Sequence, residues 1–344
     1  MTPTLTALPA PPDRNTILIG DAASHLATVE EASVDMALTS PPYFRLRDYG
    51  HHAQLGLEAD VDEWVAALLA VARHIARTLV PTGTLWLNLG DTYATHPSQG
   101  ARVKSLLLAP ERLALALTGD GWILRNKIVW AKPNPVPTSV RDRLTCSYEL
   151  VFILSRQPRY HFDLDAIRQP HRSHPPLSHQ RPGRQRATRE AWRGPNAATH
   201  HGLDALKARG YVGHPLGKNP GDVWHFAPSR GHDRHHAAFP LALAQRAIEA
   251  GCPEARCQAC RRPWTRPVIR QLGHRAIRQS LRPTCQCHAP PEPGLVLDPF
   301  LGSGTTAVAA ERLRRDWLGV ELNPDFAAAA AQRLQQSRDE GAAA

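Results

Sequence analysis

The chain predicts an α/β fold: a mainly parallel sheet covered by helices on both faces. Two features carry this expectation. Short apolar runs that end in turn residues alternate with segments of helical periodicity. Late in the chain a strand, a glycine turn, a helix and a second strand ending in a carboxylate follow one another in register. A hydrophobic fraction of 42% in 344 residues permits a sizeable core, in one large domain or two smaller ones.

The elements follow in order. Thr16-Ile17-Leu18-Ile19 is an apolar run broken by Gly20-Asp21, a strand with Asp21 at its carboxyl end. Ser24 to Glu30 reads as a helix and Val34 to Leu38 as the next strand. Val61, Trp64, Val65, Leu68, Leu69, Ala72, Ile75 and Leu79 recur at helical spacing, and Pro81-Thr82-Gly83 closes that helix. Thr84 to Leu89 is a strand followed by Gly90-Asp91, and Ser105 to Leu117 a helix. Trp122 to Trp130 and Tyr148 to Leu154 read as strands, Pro240 to Ala250 as a helix, and Gly294 to Asp298 as a strand. Ala307 to Leu313, Trp317 to Glu321 and Pro324 to Gln336 complete the pattern as helix, strand and helix.

Two strand ends stand out chemically. Thr39-Ser40-Pro41-Pro42-Tyr43 ends a buried strand with a hydroxyl, two prolines and an aromatic ring. The prolines fix φ and remove two N–H donors, so the last carbonyls are expected to point outward unpaired. Such a rim suits a planar group bearing an NH₂, and taken alone it also suits a simple turn. The second is Asp298-Pro299-Phe300-Leu301-Gly302-Ser303-Gly304-Thr305-Thr306. Gly302 and Gly304 let backbone approach a ligand, Thr305 or Thr306 is expected to cap the following helix, and Glu321 ends the next strand, where an acid holds a ribose. The third glycine of the dinucleotide pattern is replaced by Ala307.

These two motifs together resemble the S-adenosylmethionine-dependent DNA amino-methyltransferases. The catalytic motif comes first and the cofactor motif last, an order similar to that of the β group, a circular permutation of the usual Rossmann-like methyltransferase sheet. The resemblance spans roughly residues 14–336 apart from a basic segment and a cysteine insert. It implies that Asp21 lies near the cofactor's adenine, that Phe239-Pro240 closes over its methionine end, that Asp298 meets its amino group and that Glu321 meets its ribose. Phe300, Gly302, Ser303, Gly304, Thr305 and Asn323 belong to the same expected site. It further places Trp130 to Pro135 and Arg141 to Glu149 beside the flipped base, and makes Gly221-Asp222-Val223-Trp224 the return to the core.

The implied chemistry is direct methyl transfer to an exocyclic amine. Ser40 and the Pro41 carbonyl accept hydrogen bonds from the NH₂, Pro42 stiffens the rim, and Tyr43 stacks on a base that has left the duplex. In the resembled family Ser-Pro-Pro-Tyr usually accompanies cytosine N4 methylation, and Asp at the first position adenine N6 methylation. The expectation is therefore a cytosine-N4 enzyme, with an adenine-N6 enzyme as the alternative. Cytosine C5 chemistry needs a cysteine after proline, and no cysteine here follows one. A non-catalytic zinc-containing DNA-binding protein and a nucleotide-dependent oxidoreductase are the remaining readings; the intact rim and glycine turn argue against both. Asp91 or Tyr93, at another strand end, could line the base pocket or form a polar turn.

Cys257-x-x-Cys260 and Cys285-x-Cys287 offer four thiolates to a structural Zn²⁺, with Cys252 and His288 as substitutes and plain reduced cysteines as the other reading. The net charge of +10 suits a polyanion, double-stranded DNA first. Arg156 to His236, rich in Arg, His, Pro and Gly, is the expected recognition segment, with Arg181, Arg184, Arg186, Arg189, Arg193, Lys207, Arg209 and Lys218. The expected organisation is a disordered N-terminus (1–13), a catalytic part (14–155), the recognition segment (156–236), a cofactor part (237–251 and 289–336), a zinc insert (252–288) and a flexible tail (337–344). Met1 to Arg14 lacks the features of a signal peptide, and no run of about eighteen apolar residues appears, so a cytoplasmic protein without a membrane partner is expected. Monomer and homodimer both remain open.

Overall fold

The structure, a computed structural model, describes residues 13–135, 137–171, 214, 216–228, 239–269 and 276–342. Its strands are β1 (Thr16–Ile19), β2 (Val34–Thr39), β3 (Leu79–Leu89), β4 (Ile123–Ala131), β5 (Tyr148–Ser155), β6 (Val223–His225), β7 (Arg256–Cys257), β8 (Val268–Ile269), β9 (Ile277–Arg278), β10 (Pro291–Glu292), β11 (Leu295–Asp298) and β12 (Asp316–Glu321). Its α-helices are α1 (Ala22–Thr28), α2 (Val61–Thr78), α3 (Ala109–Gly119), α4 (Leu241–Gly251), α5 (Thr305–Arg312) and α6 (Pro324–Ala342).

Eight strands form one sheet in the order β1-β12-β11-β2-β3-β5-β4-β6. β5 runs antiparallel to both its neighbours, and the other pairings are parallel. Strands from opposite ends of the chain thus interleave, β11 lying directly against β2. β2 is buried along its whole length, as a central parallel strand must be when both faces are covered. One face packs Leu26 of α1, Trp64 and Leu68 of α2 and Leu113 of α3. The other packs Leu243 and Ile248 of α4, Val308 of α5 and Ala330 of α6.

Three boundaries differ from expectation by more than two residues, for physical reasons. β3 starts at Leu79 and runs straight through Pro81-Thr82-Gly83, because β2 and β3 already pair at Val34 and Leu79. α3 starts at Ala109, not Ser105: Leu108 adopts φ 53°, Pro110 opens the first turn, and the Asp91 carboxylate accepts the Leu108 and Ala109 N–H groups. α6 runs to Ala342, past the expected end at Gln336 and through most of the expected tail 337–344. Arg338 pairs with Glu311 and Arg312 with Glu340, which ties its last turns to α5. Most of the named basic residues of the recognition segment, from Arg181 to Arg209, lie outside the described residues. Of its described part, Arg156 donates to the Asp120 carbonyl, Gln169 bridges to Lys218, and β6 adds Trp224 to the core.

The cysteine insert is joined to the sheet through one buried cation. Arg256 is 0% exposed and donates to Asp35 Oδ2 at 2.7 Å, to the Ser33 carbonyl at 2.5 Å and to Glu292 Oε1 at 2.7 Å. Burial holds the Asp35 carboxyl up at about 6 even against the neighbouring guanidinium. Removing one partner of such a group strands the other without compensation. Arg256→Ala should lower the unfolding free energy by about 3–5 kcal/mol in urea titrations; a loss within experimental scatter would contradict this.

Candidate active site

The carboxyl ends of β1, β2, β11 and β12 meet at one cleft, as the parallel order requires. It encloses about 1010 Å³, open mouth included, and is lined by Gly20, Asp21, Ser40, Pro42, Phe239 and the turn from Asp298 to Gly302, among others. The two strand ends singled out in the sequence, remote in the chain, lie side by side along it.

Asp298 sits at the junction. It is 3% exposed; Oδ1 accepts from Thr39 Oγ1 at 2.7 Å and from the Phe300 N–H at 3.1 Å, and Oδ2 from Thr306 Oγ1 at 2.5 Å. Burial pushes its carboxyl up to about 6, against the pull of those hydrogen bonds. Glu321, also raised by burial, accepts the Gly302 N–H at 2.8 Å and the Asn323 N–H at 2.9 Å. A carboxylate has about four acceptor sites, so Glu321 retains capacity for a ligand's hydroxyls. Gly302, which lines the cleft, has φ +52°, and a Cβ there would meet only the Phe300 carbonyl, at 4.0 Å. At Gly304, φ +76°, a Cβ would come within 3.1 Å of Ala330 on α6, so this glycine serves helix packing.

Several of these residues also carry structural contacts. α5 has no side-chain cap: Gly304 is its N-cap, Thr306 serves Asp298, and Thr305 accepts from Arg333. Ser303 also accepts from Arg333 through its carbonyl and hydroxyl. Asp21 caps α1 through Ser24, and Asn323 Oδ1 caps the start of α6 through the Asp325 N–H. Phe239 is buried and Pro240 is the N-cap of α4. The rim carbonyls are not all free: Pro42 accepts from Trp64 Nε1 at 2.9 Å, and Tyr43 from the Leu46 N–H. Pro41 is buried and faces Leu68 and Leu87. Asp91 accepts three backbone N–H groups and belongs to the α3 turn, not to a base pocket. Tyr93 lies under the Arg143 guanidinium at 3.9 Å.

Sequence reasoning missed the aromatic wall. Tyr49 and Phe326 meet edge to face at 6.3 Å, and both line the cleft with His51 and Gln54. The segment after Tyr43 carries no periodic signal, so nothing in the sequence brought it over the cleft. Asn323 Nδ2, reaching the Tyr49 carbonyl at 3.4 Å, helps hold it there.

The four cysteines also converge. The Sγ atoms of Cys257, Cys260, Cys285 and Cys287 lie within 4.8 Å of one another. Cys252 is instead buried in the core, and His288 stands outside the cluster.

Comparison with known proteins accords with this geometry. The DNA methylase family N6_N4_Mtase matches residues 34–332. The Type II methyltransferase M.SmaI of Serratia marcescens is 31% identical over 343 residues, covering 94% of this chain and 91% of that protein. Among solved structures, the PvuII DNA methyltransferase (cytosine-N4-specific) superposes with a TM-score of 0.58 at 18% identity, over 96% of this chain and 92% of that one. A Thermus thermophilus protein solved complexed with S-adenosyl-L-methionine superposes with a TM-score of 0.51 at 23% identity, over 93% and 95% of the two chains. These two likenesses establish the shared fold.

Asp298 yields a pH-dependent test. Its carboxyl titrates near 6 when folded against 3.8 ordinarily, so the folded state binds the extra proton and this group's contribution to stability declines as pH rises between those values. Thr306→Val removes a donor that the charged form needs more than the neutral one. The variant should lose about 1–3 kcal/mol near neutral pH, and the loss should shrink as pH falls below about 6. Urea titrations at both pH values would check this; a pH-independent deficit would contradict it.

Proposed function

The chain belongs to the N6_N4_Mtase family of DNA methylases, S-adenosylmethionine-dependent amino-methyltransferases of the β group, and we propose that it methylates the exocyclic N4 amine of cytosine in a specific double-stranded DNA sequence. It is a site-specific DNA methyltransferase of the Type II kind, whose mark serves restriction and modification. The choice of cytosine N4 rests on one observation: the rim side chain that lines the cleft from the end of β2 is the neutral hydroxyl of Ser40.

The cleft fits S-adenosylmethionine. Its acidic residues stand at three separate strand ends: Asp298 for an ammonium, Glu321 for ribose hydroxyls, and Asp21 for the adenine side. Phe239 lines the cleft together with Phe300, Gly302, Ser303 and Thr305 of the glycine turn and helix start. Bound there, S-adenosylmethionine supplies an electrophilic methyl group. The protein supplies position and electrostatics. An exocyclic amine is a weak nucleophile because its lone pair is delocalised into the ring. Ser40 Oγ and the Pro41 carbonyl, accepting its two hydrogens, draw the nitrogen toward tetrahedral geometry. The cytosine leaves the duplex to reach this rim, at a few kcal/mol of unstacking. The Arg156 to His236 segment supplies the basic surface for target DNA.

We also propose that Cys257, Cys260, Cys285 and Cys287 hold a structural Zn²⁺. Four Sγ atoms this close suit tetrahedral thiolate coordination. The short strands of the insert offer little core of their own.

Two tests follow. Labelled methyl transfer to DNA with nucleoside analysis should yield N4-methylcytosine; N6-methyladenine would select the alternative. Ser40→Ala should lower kcat roughly 10²–10³-fold while sparing cofactor binding. For the metal, purified protein should contain one zinc per chain, and chelation should lower its melting temperature; metal-free protein of unchanged stability would remove the zinc assignment.

A further inference from the structure

Behind the rim, two side chains form a chain of contacts that the reaction as described leaves unused. Glu149 lies in β5 opposite Trp130 of β4, and Lys132 stands one residue beyond β4. Lys132 Nζ is 2.5 Å from Glu149 Oε1 and rides over the Trp130 ring at 4.8 Å. The other carboxylate oxygen, Oε2, accepts from the Tyr43 hydroxyl at 2.7 Å. Tyr43 in turn accepts from Ser40 Oγ at 3.0 Å.

The direction of this chain is forced. A phenol has one hydrogen. Its acceptors are Glu149 at 2.7 Å and Asn88 Oδ1 at 3.2 Å, and the nearer, charged one makes the stronger bond. Asn88 is itself oriented, because its Nδ2 donates to the Leu150 carbonyl. Burial and the Glu149 charge hold the Tyr43 phenol well above its ordinary range, so it stays a donor. Tyr43 can therefore offer Ser40 only a lone pair, and Ser40 must donate to it. The Ser40 lone pairs are left facing the cleft.

We propose that Ser40, Tyr43 and Glu149 form a one-way hydrogen-bond relay that fixes Ser40 as an acceptor for the substrate amine and carries the amine's surplus proton to Glu149. The proposal rests on amine methylation at this rim. After the methyl group has joined the nitrogen, that nitrogen is cationic and holds one proton too many. One N–H bond breaks and its proton joins Ser40 Oγ. The Ser40 hydrogen passes to Tyr43, and the Tyr43 hydrogen to Glu149, which ends as a neutral carboxylic acid; nothing is oxidised or reduced. Glu149 then returns the proton to solvent, and Lys132 keeps its carboxylate in place throughout. Other nearby acids are committed elsewhere: Asp298 holds three donors and Asp91 holds three backbone N–H groups. Glu149 is the carboxylate that accepts from the Tyr43 hydroxyl. Glu149 and Lys132 are thus relay and positioning residues, reaching the substrate only through Tyr43 and Ser40.

Glu149→Gln keeps an acceptor for Tyr43 but cannot take a proton. It should lower kcat roughly 10²-fold, leave KM for DNA and cofactor affinity unchanged, and alter the pH dependence of kcat. Tyr43→Phe removes one oxygen and little packing; it should cause a similar loss, and the double variant should be no slower than either single one. Wild-type kcat in either variant, an unaltered pH profile, or multiplicative losses would overturn the relay. Should Glu149→Gln prove unstable, Tyr43→Phe and its pH profile decide alone. Nucleoside analysis of the wild-type product separates the two claims: N6-methyladenine would overturn the cytosine assignment, and the variants would still be read on the amine actually methylated.

Discussion

The buried carboxylate of Asp298 is the constraint on which the site depends. A charge at 3% exposure is tolerable only when its oxygens are satisfied, and three donors do this. They come from three places: Thr39 at the end of β2, the Phe300 N–H in the glycine turn, and Thr306 in the first turn of α5. Satisfying one carboxylate thereby fixes the end of β2, the turn and the helix relative to one another. Thr39 immediately precedes Ser40, so the position of the rim hydroxyl is set by the same hydrogen bond that satisfies Asp298.

The short strand between these elements is clamped at its other end too. β11 has only four residues, and only Val296 and Leu297 are in register with β2. At its start, the Leu295 N–H donates to Asp35 Oδ2 at 2.8 Å, the oxygen that also pairs with Arg256. Both carboxyls, Asp35 and Asp298, are held up near 6 by burial. Each lies at one end of β11. Arg256 adjoins Cys257, so the cysteine cluster, the buried ion pair and the β2–β11 seam form one connected path.

Much of this was legible in the sequence because its signals are local. Ser40 follows a strand, and Asp298 and Glu321 end strands, whose apolar runs are unmistakable, and parallel pairing then delivers all three to one edge of the sheet. The Cys257, Cys260, Cys285 and Cys287 set was legible from pair spacing. What escaped was tertiary. Asp91 reads like a site residue because it follows a strand, yet it satisfies the N–H groups of Leu108 and Ala109, and the kink at Leu108 that requires it has no sequence signature. Tyr49 and Phe326 are far apart in the chain and meet only because the segment after the rim folds back over β12. Glu149 stands in a strand whose pattern says nothing of a partner at Tyr43. The tail after Gln336 is polar enough to read as solvated, and its helix persists through ion pairs to α5.

A neutral hydroxyl at position 40 is consistent with the electrostatics around it. The cleft already carries Asp298 and Glu321, each disfavoured as an anion by burial, and the Glu321 charge further raises Asp298. A further carboxylate at the end of β2 would add repulsion to a group already near 6 and pull its titration further toward neutrality. The hydroxyl adds no charge, yet it need not be an indifferent acceptor. With its hydrogen committed to Tyr43, and that of Tyr43 to Glu149, the negative charge stands two hydrogen bonds behind Ser40, beside Lys132. The rim gains the directionality of an anionic acceptor while the charge remains paired and outside the cofactor cleft.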